Sequence, residues 1–296
     1  MISRLLGSTS IGVPALGLGA GRLGDASVPE DQVERLVGRA LDLGVVLFDA
    51  ARSYGLAEER LGRLLAAARE RVVLSTKVGY GVPGIADWTG PCVEGGVDAA
   101  LRRFRTDRLD LVHLHSCGID VLRRGEAVEA LSRAVRAGKV RVPAYSGEGE
   151  ALDFAVRSGA FGAVQCSVSV LDQANLGADR AAVAEAARRG LGVLAKRPLA
   201  DAPWRFAERP AAQDVAVYWD RFRALGLDPR EPHLDVVFLR FAAFSPGVSC
   251  ALLGTADPAH LERAAAAVAQ GPLPDAERQV LTAAFARVGT GWPGQV

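Results

Sequence analysis

The chain has 296 residues, 49% hydrophobic and 23% charged, a composition that excludes intrinsic disorder and is ample for a sizeable core. Its 35 basic and 34 acidic side chains leave a formal charge of +1, so nothing suggests a nucleic-acid or membrane-surface partner, which needs concentrated positive charge. The 33 glycines and 15 prolines fall short of low complexity and read as turns between many short elements. Cys92, Cys117, Cys166 and Cys250 lie far apart, with no CxxC pair and no histidine at metal-ligand spacing, and read as reduced thiols rather than a metal site. The first residues, MISRLLGSTS, lack the apolar core of a signal peptide, and no run approaches the ~18 apolar residues of a membrane span. The expectation is a cytoplasmic protein.

In chain order, an apolar run at Ala15–Gly19 comes first. Pro29 then precedes EDQVERLVGRALDLG, where Val33, Leu36, Val37, Ala40 and Leu41 recur at helical spacing and Gly44 is the stop. Further strands are expected at Val45–Asp49, Val72–Lys77, Leu109–His115, Lys139–Tyr145, Ala163–Cys166, Leu191–Ala195 and Val248–Leu253, apolar on both faces as buried parallel strands are. Helical faces alternate with them at 57–69, 91–105, 126–137, 148–158, 179–189, 231–243 and 257–268. A helical insertion at 205–226 and a helical tail at 274–288 are additional. Eight strand–helix units in order predict an α/β fold of the (β/α)8 type, a TIM barrel, with an open doubly wound sheet as the alternative. No composition shift or linker divides the chain, which favours one closed barrel in a single domain, 1–296.

Gly19-Ala20-Gly21-Arg22-Leu23-Gly24 matches GxGxxG after an expected strand. A dinucleotide fingerprint needs the helix to open within the motif, so that its N-terminus meets the pyrophosphate. Here the next helix starts only after Asp25–Pro29, which argues against a Rossmann site. More informative is the rim where barrel enzymes build their sites, the C-terminal ends of the strands. Asp49 ends the second strand and Tyr54 follows it, Lys77 ends the third, and His115 ends the fourth. Singly, each has an ordinary reading: a helix-capping Asp, a packed Tyr, a surface Lys, and a core histidine for either His113 or His115, which share a face. Their joint location points to chemistry.

Those residues also carry a resemblance. FDAARSYG (48–55), VVLSTKVG (72–79) and LDLVHLHS (109–116) resemble strand-end motifs of the aldo-keto reductase superfamily, with Asp49, Tyr54, Lys77 and His115 at the positions of its catalytic tetrad. The resemblance runs from about Ser3 to the GTADPAHL segment. It implies a (β/α)8 barrel binding NAD(P)H at the C-terminal face, with an N-terminal β-hairpin, here 3–13, covering the other end.

The tetrad has a chemical logic. A carbonyl accepting hydride develops negative charge on oxygen and needs a proton donor. A tyrosine, with an ordinary pKa of ~10, donates poorly near neutrality unless an adjacent cation favours its phenolate. Lys77 is expected to supply that charge and Asp49 to hold Lys77. Tyr54 is then the general acid or base, and His115 the group that orients the substrate oxygen. The hydride belongs to the nicotinamide.

The resemblance places further residues around the cofactor. Ser146 and Gln165 match the positions that hold the nicotinamide carboxamide, although Gly147 stands where an asparagine usually follows the serine. Lys196 occupies the ring-stacking position, and Arg197 and Leu199 the pyrophosphate segment. Gly254, Thr255 and His260 fall in the clamp on the adenosine phosphate. The resemblance implies NADPH by the family's habit, with NADH as the other possibility because basic residues are few there. Trp88 and Trp204 lie on loops after strands and are candidate walls for a small carbonyl or alcohol substrate. The expected state is a monomer or small homo-oligomer. Two other functions fit the same residues: a barrel aldolase forming a Schiff base through Lys77 or Lys196, and a regulatory module that binds nucleotide without turnover.

Overall fold

The computed structural model describes residues 1–177 and 180–295. The strands are β1 (Ser3–Leu5), β2 (Gly12–Pro14), β3 (Leu16–Gly19), β4 (Leu47–Asp49), β5 (Val73–Val78), β6 (Leu109–His115), β7 (Val140–Ser146), β8 (Ala163–Ser167), β9 (Gly192–Lys196) and β10 (Cys250–Gly254). The helices are α1 (Glu30–Asp42), α2 (Ala57–Leu64), α3 (Gly90–Phe104), α4 (Ile119–Arg124), α5 (Glu126–Arg136), α6 (Gly149–Ser158), α7 (Ala182–Arg188), α8 (Gln213–Ala224), α9 (Leu234–Ala243), α10 (Pro258–Ala269) and α11 (Asp275–Val288). Strands β3 to β10 form a closed parallel barrel in sequence order, with β10 pairing back onto β3 and Gly254 opposite Gly19. The open doubly wound alternative is thereby excluded.

Each barrel strand matches an apolar run because its side chains are covered on both sides, by the helices outside and by one another within. Helix α1 shows the companion pattern, burying Val33, Leu36, Val37 and Ala40 on the barrel. Gly44, at a φ of 72°, takes the left-handed turn that ends this unit. Boundaries differ where periodicity is short. The 57–69 stretch is α2 followed by a separate 3-10 segment, Ala66–Arg71. The insertion resolves into a 3-10 turn at Pro203–Arg205 and α8. Helix α4 is absent from the sequence reading because six residues between Gly118 and Gly125 are too few to show a period. The expected start of α7 at residue 179 lies outside the described residues.

The hairpin β1–β2 closes the N-terminal end. Leu6, Ile11 and Val13 are buried with Leu47, Val73, Leu111, Leu194 and Leu252 from the lower barrel interior. Gly7 makes this possible: at a φ of 56°, a Cβ there would lie 2.3 Å from the Gly190 carbonyl oxygen. Access to the barrel axis is therefore from the C-terminal face, where Asp49, Lys77, His115, Ser146 and Lys196 end or nearly end their strands.

Candidate active site

The glycine-rich turn after β3 has a structural task. A short 3-10 turn occupies Arg22–Gly24, and α1 opens only at Glu30. Gly24 packs against the loop that carries Tyr54: a Cβ on it would lie 1.6 Å from the Tyr54 carbonyl oxygen. The Leu56 amide donates to the Gly24 carbonyl at 3.0 Å. Arg60 fixes the remainder of the turn, donating to the carbonyls of Leu23, Asp25 and Val28.

The structure brings the four strand-end residues together. Lys77 Nζ donates to Asp49 Oδ2 at 2.6 Å and to the Ala50 carbonyl at 2.7 Å, and lies 4.9 Å from the centre of the Tyr54 ring. His115 meets Tyr54 edge-on with ring centroids 6.3 Å apart. Lys77 and Asp49 are 2% and 4% exposed, so the charges are tolerable only because each is paired and hydrogen-bonded. Asp49 also accepts from Ser75 Oγ at 2.7 Å and Gln165 Nε2 at 3.1 Å. Burial works against both charges. Asp49 and then Tyr54 more than offset it for Lys77, which sits above the ordinary lysine value; Lys77 does the same for Asp49, which sits below the ordinary carboxylate value. The ammonium is thus held charged, in contact with the one phenol of the group.

A layer beneath was only half visible in the sequence. His113 faces inward with His115, as strand periodicity requires, and its Nε2 meets Ser75 Oγ at 3.0 Å. Burial lowers His113 to about 4 and His115 to about 3, with the Lys77 cation reinforcing both, so both rings are neutral near pH 7. A histidine depressed in the folded state is protonated more readily when unfolded, so stability falls as pH drops from ~6.5 toward these values, by ~1.4 kcal/mol per pH unit for each histidine. Asp172, raised by burial to about 7, acts in the opposite sense over the same window. The clean measurement is therefore a difference: His115→Gln is expected to flatten the slope of unfolding free energy between pH 6 and 4 by ~1.4 kcal/mol per unit in urea titrations.

The remaining predicted positions divide. Ser146 Oγ donates to Gln165 Oε1 at 2.9 Å, both buried between β7 and β8. Lys196 pairs with Glu148 at 3.3 Å and donates to the Gln295 carbonyl at 2.9 Å; burial lowers its pKa and Glu148 only partly offsets this. Arg197 pairs with Asp201 at 3.2 Å, and Leu199 packs between the barrel core and the α8–α9 cluster. Arg197, Ala200, Asp201 and Ala202 all have left-handed backbone. Gly254 is exposed, and Thr255 Oγ1 accepts from the Asp257 amide at 3.0 Å. His260 lies 3.7 Å from Asp257, and nearby Arg263 pairs with Asp235. Trp88 packs on Tyr80, beside His115, with centroids 5.7 Å apart. Trp204 belongs to a separate aromatic group with Phe222 and Phe238 rather than to the Tyr54 cluster.

From the segment after α11, the sequence offers only Trp292 as a lesser candidate pocket wall and does not foresee its contacts. This segment crosses the rim at β8 and β9, where the Gln295 carbonyl accepts from Ser167 Oγ as well as Lys196, and the Gln295 amide donates to Asp172. Arg221 donates to the Pro293 carbonyl and faces the Trp292 ring at 5.2 Å. Glu148 closes this group, accepting from the Ser167 amide and from Asn175 Nδ2 at 2.7 Å each. Two surface cavities, of about 420 and 560 Å3, lie elsewhere: one beside Phe161 and Arg188, the other beside Ile11 and Pro143 on the hairpin side.

The Aldo/keto reductase family profile matches residues 15–284, nearly the whole barrel. The chain belongs to the aldo-keto reductase family. L-glyceraldehyde 3-phosphate reductase of Escherichia coli is 33% identical over 165 residues, covering 49% of this chain and 46% of that protein. L-galactose dehydrogenase of Arabidopsis thaliana is 33% identical over 153 residues, covering 49% and 48%. The matches span about half the length of these curated relatives. The aldo-keto reductase AKR11C1 from Bacillus halodurans, in its holo form, superposes with a TM-score of 0.82 at 24% identity, covering 96% of each chain, and shares the fold. Among the described residues of this family member, no helix is long and apolar enough to cross a membrane.

Proposed function

We propose that this aldo-keto reductase reduces an aldehyde or ketone to an alcohol, or runs the reverse, with a nicotinamide dinucleotide as redox partner. The observation that carries the reading is the buried Lys77 ammonium, fixed by Asp49 and the Ala50 carbonyl and lying against Tyr54. Tyr54 gives its proton to the carbonyl oxygen in reduction and takes it back in oxidation, while Lys77 favours the phenolate left behind. Asp49 orients Lys77, and neutral His115 donates one hydrogen bond to the same oxygen.

The donor set fits the cofactor. Ser146 and Gln165 present a hydroxyl and an amide side by side, suited to a carboxamide. The dinucleotide supplies the hydride. Lys196, Arg197 and Leu199 would flank it, and Gly254, Thr255 and His260 would meet its adenosine end. His260 and Arg263 each lie beside a carboxylate of the chain itself, so NADPH is the proposed partner with only a modest preference over NADH. The two named relatives are an L-glyceraldehyde 3-phosphate reductase and an L-galactose dehydrogenase, which makes small sugars and sugar phosphates the substrate class to test first.

The test is dinucleotide oxidation or reduction with a panel of glyceraldehydes, aldoses and simple ketones; absence of any turnover beyond background would overturn the reading. Borohydride trapping addresses the aldolase alternative. The charged state of Lys77 speaks against that route through Lys77, since a Schiff base forms from the neutral amine. Lys196, whose pKa burial lowers, is the lysine the trapping experiment tests. Placement of the Tyr54 loop gives a further prediction. Gly24→Ala must displace that loop, and is expected to lower kcat/KM by roughly 100-fold while destabilising the fold by ~1–3 kcal/mol in urea unfolding.

A further inference from the structure

Tyr80 lies outside the four-residue group yet touches it. Its hydroxyl is 2.8 Å from His115 Nδ1 and 3.0 Å from Ser53 Oγ. Its ring stacks on His115 with centroids 5.5 Å apart and planes 26° from parallel. The loop after β5 holds Tyr80 there by its own contacts. The Trp88 ring crowds Gly79, which has a φ of 126°, the Trp88 amide donates to the Gly79 carbonyl, and the Gly81 amide donates to Asp87. Arg52 ties the Gly81 carbonyl to the loop that bears Tyr54.

A neutral imidazole carries one hydrogen, on one of two nitrogens, and the partner of one nitrogen decides what the other offers. If Nδ1 carries it, His115 donates to Tyr80 and turns a lone pair toward the substrate. If Nδ1 accepts from Tyr80, Nε2 carries the hydrogen and can stabilise a developing oxyanion. The phenol O–H is the stronger donor of the trio and the imidazole nitrogen the stronger acceptor. Ser53 Oγ lies where it can accept from Tyr80, but the phenol has one hydrogen, and its better acceptor is His115 Nδ1, the shorter contact. The freely rotating Ser53 hydroxyl then turns its own hydrogen to Tyr80.

We propose that Tyr80 is a positioning residue that selects the His115 tautomer with hydrogen on Nε2, so that His115 donates to the substrate oxygen. The part played by that donation rests on the carbonyl-reductase reading; the tautomer assignment does not. It is read by 15N-edited NMR of the histidine rings in the protein without dinucleotide or substrate, with His115→Gln used for assignment. The wild type is expected to show His115 protonated on Nε2. Tyr80→Phe, which keeps the stacked ring, is expected to show a mixture of tautomers and to lower kcat about tenfold with little change in KM, the loss of one hydrogen bond. Ser53→Ala is expected to leave the tautomer unchanged. A wild-type ring protonated on Nδ1, or a Tyr80→Phe ring with the wild-type pattern, overturns the proposal. A wild type that turns over no carbonyl overturns the reductase reading instead and leaves the NMR result to decide the tautomer.

Discussion

Tyr54→Phe is expected to lower kcat for carbonyl reduction by roughly 100- to 10,000-fold, the usual worth of a positioned acid. The substitution removes one oxygen and leaves the ring. The Lys77 contact at 4.9 Å and the edge-on packing with His115 both survive it. Tyr54 is half-buried, so no cavity opens and the unfolding free energy from urea titration should stay within ~0.5 kcal/mol of the wild type. Dinucleotide affinity, followed by quenching of protein fluorescence, should also hold, because the proposed carboxamide contacts come from β7 and β8. A variant that reduces a reactive aldehyde at the wild-type rate would remove Tyr54 from the role of proton donor.

Lys77→Met should damage both activity and stability. Methionine fills similar space but leaves Asp49 charged, buried and without its cation. Removing one partner of such a pair costs ~3–5 kcal/mol. Ser75 and Gln165 still donate to the carboxylate, which keeps the loss toward the lower end. The pH dependence follows from the direction of the Asp49 shift. Lys77 is what holds Asp49 below the ordinary carboxylate range against burial, so without it burial dominates and Asp49 binds a proton more readily when folded. The deficit of the variant should then be largest near pH 8 and shrink as pH falls. In the wild type the pair contributes above the unfolded aspartate value of ~3.9 and below the unfolded lysine value of ~10.4, and its contribution is lost beyond the folded values on either side. Urea unfolding at pH 8 and pH 5, with the Asp49→Asn/Lys77→Met double variant, checks this. The double variant should be more stable than Lys77→Met alone, because it leaves no uncompensated charge.

The barrel was readable in the sequence because its strands are covered on both faces and so appear as short continuous apolar runs, each followed by an amphipathic stretch such as α1. Three of the four rim residues were readable because Asp49, Lys77 and His115 are polar side chains at or near the ends of such runs, and Tyr54 because it follows Asp49 at the spacing of the resemblance. Their partners were harder to foresee. Ser75 and His113 belong to the same inward-facing rows as Lys77 and His115, but a serine or histidine inside a strand has no distinctive spacing of its own. Tyr80 sits on the loop after β5 and acts on a residue of β6, a relation that no local pattern encodes. The left-handed backbone at Arg197, Ala200, Asp201 and Ala202 involves no glycine, so the usual sequence mark of such turns is missing. The contacts of Gln295 with Ser167 and Lys196 join positions roughly a hundred residues apart, and only closure of the barrel brings them together.

The hairpin and the segment after α11 give the molecule two unlike poles. Met1 and Ile2 leave the hairpin beside Gly44, at the sealed end, whereas Gln295 rests on the rim that holds Lys196. For anyone tethering the protein to a surface or fusing it to a reporter, the poles are not interchangeable. A handle at Met1 faces away from the C-terminal rim that carries the candidate active site and leaves that rim open to solution. One placed at Gln295 would sit against Ser167 and Lys196, on the rim of the candidate active site.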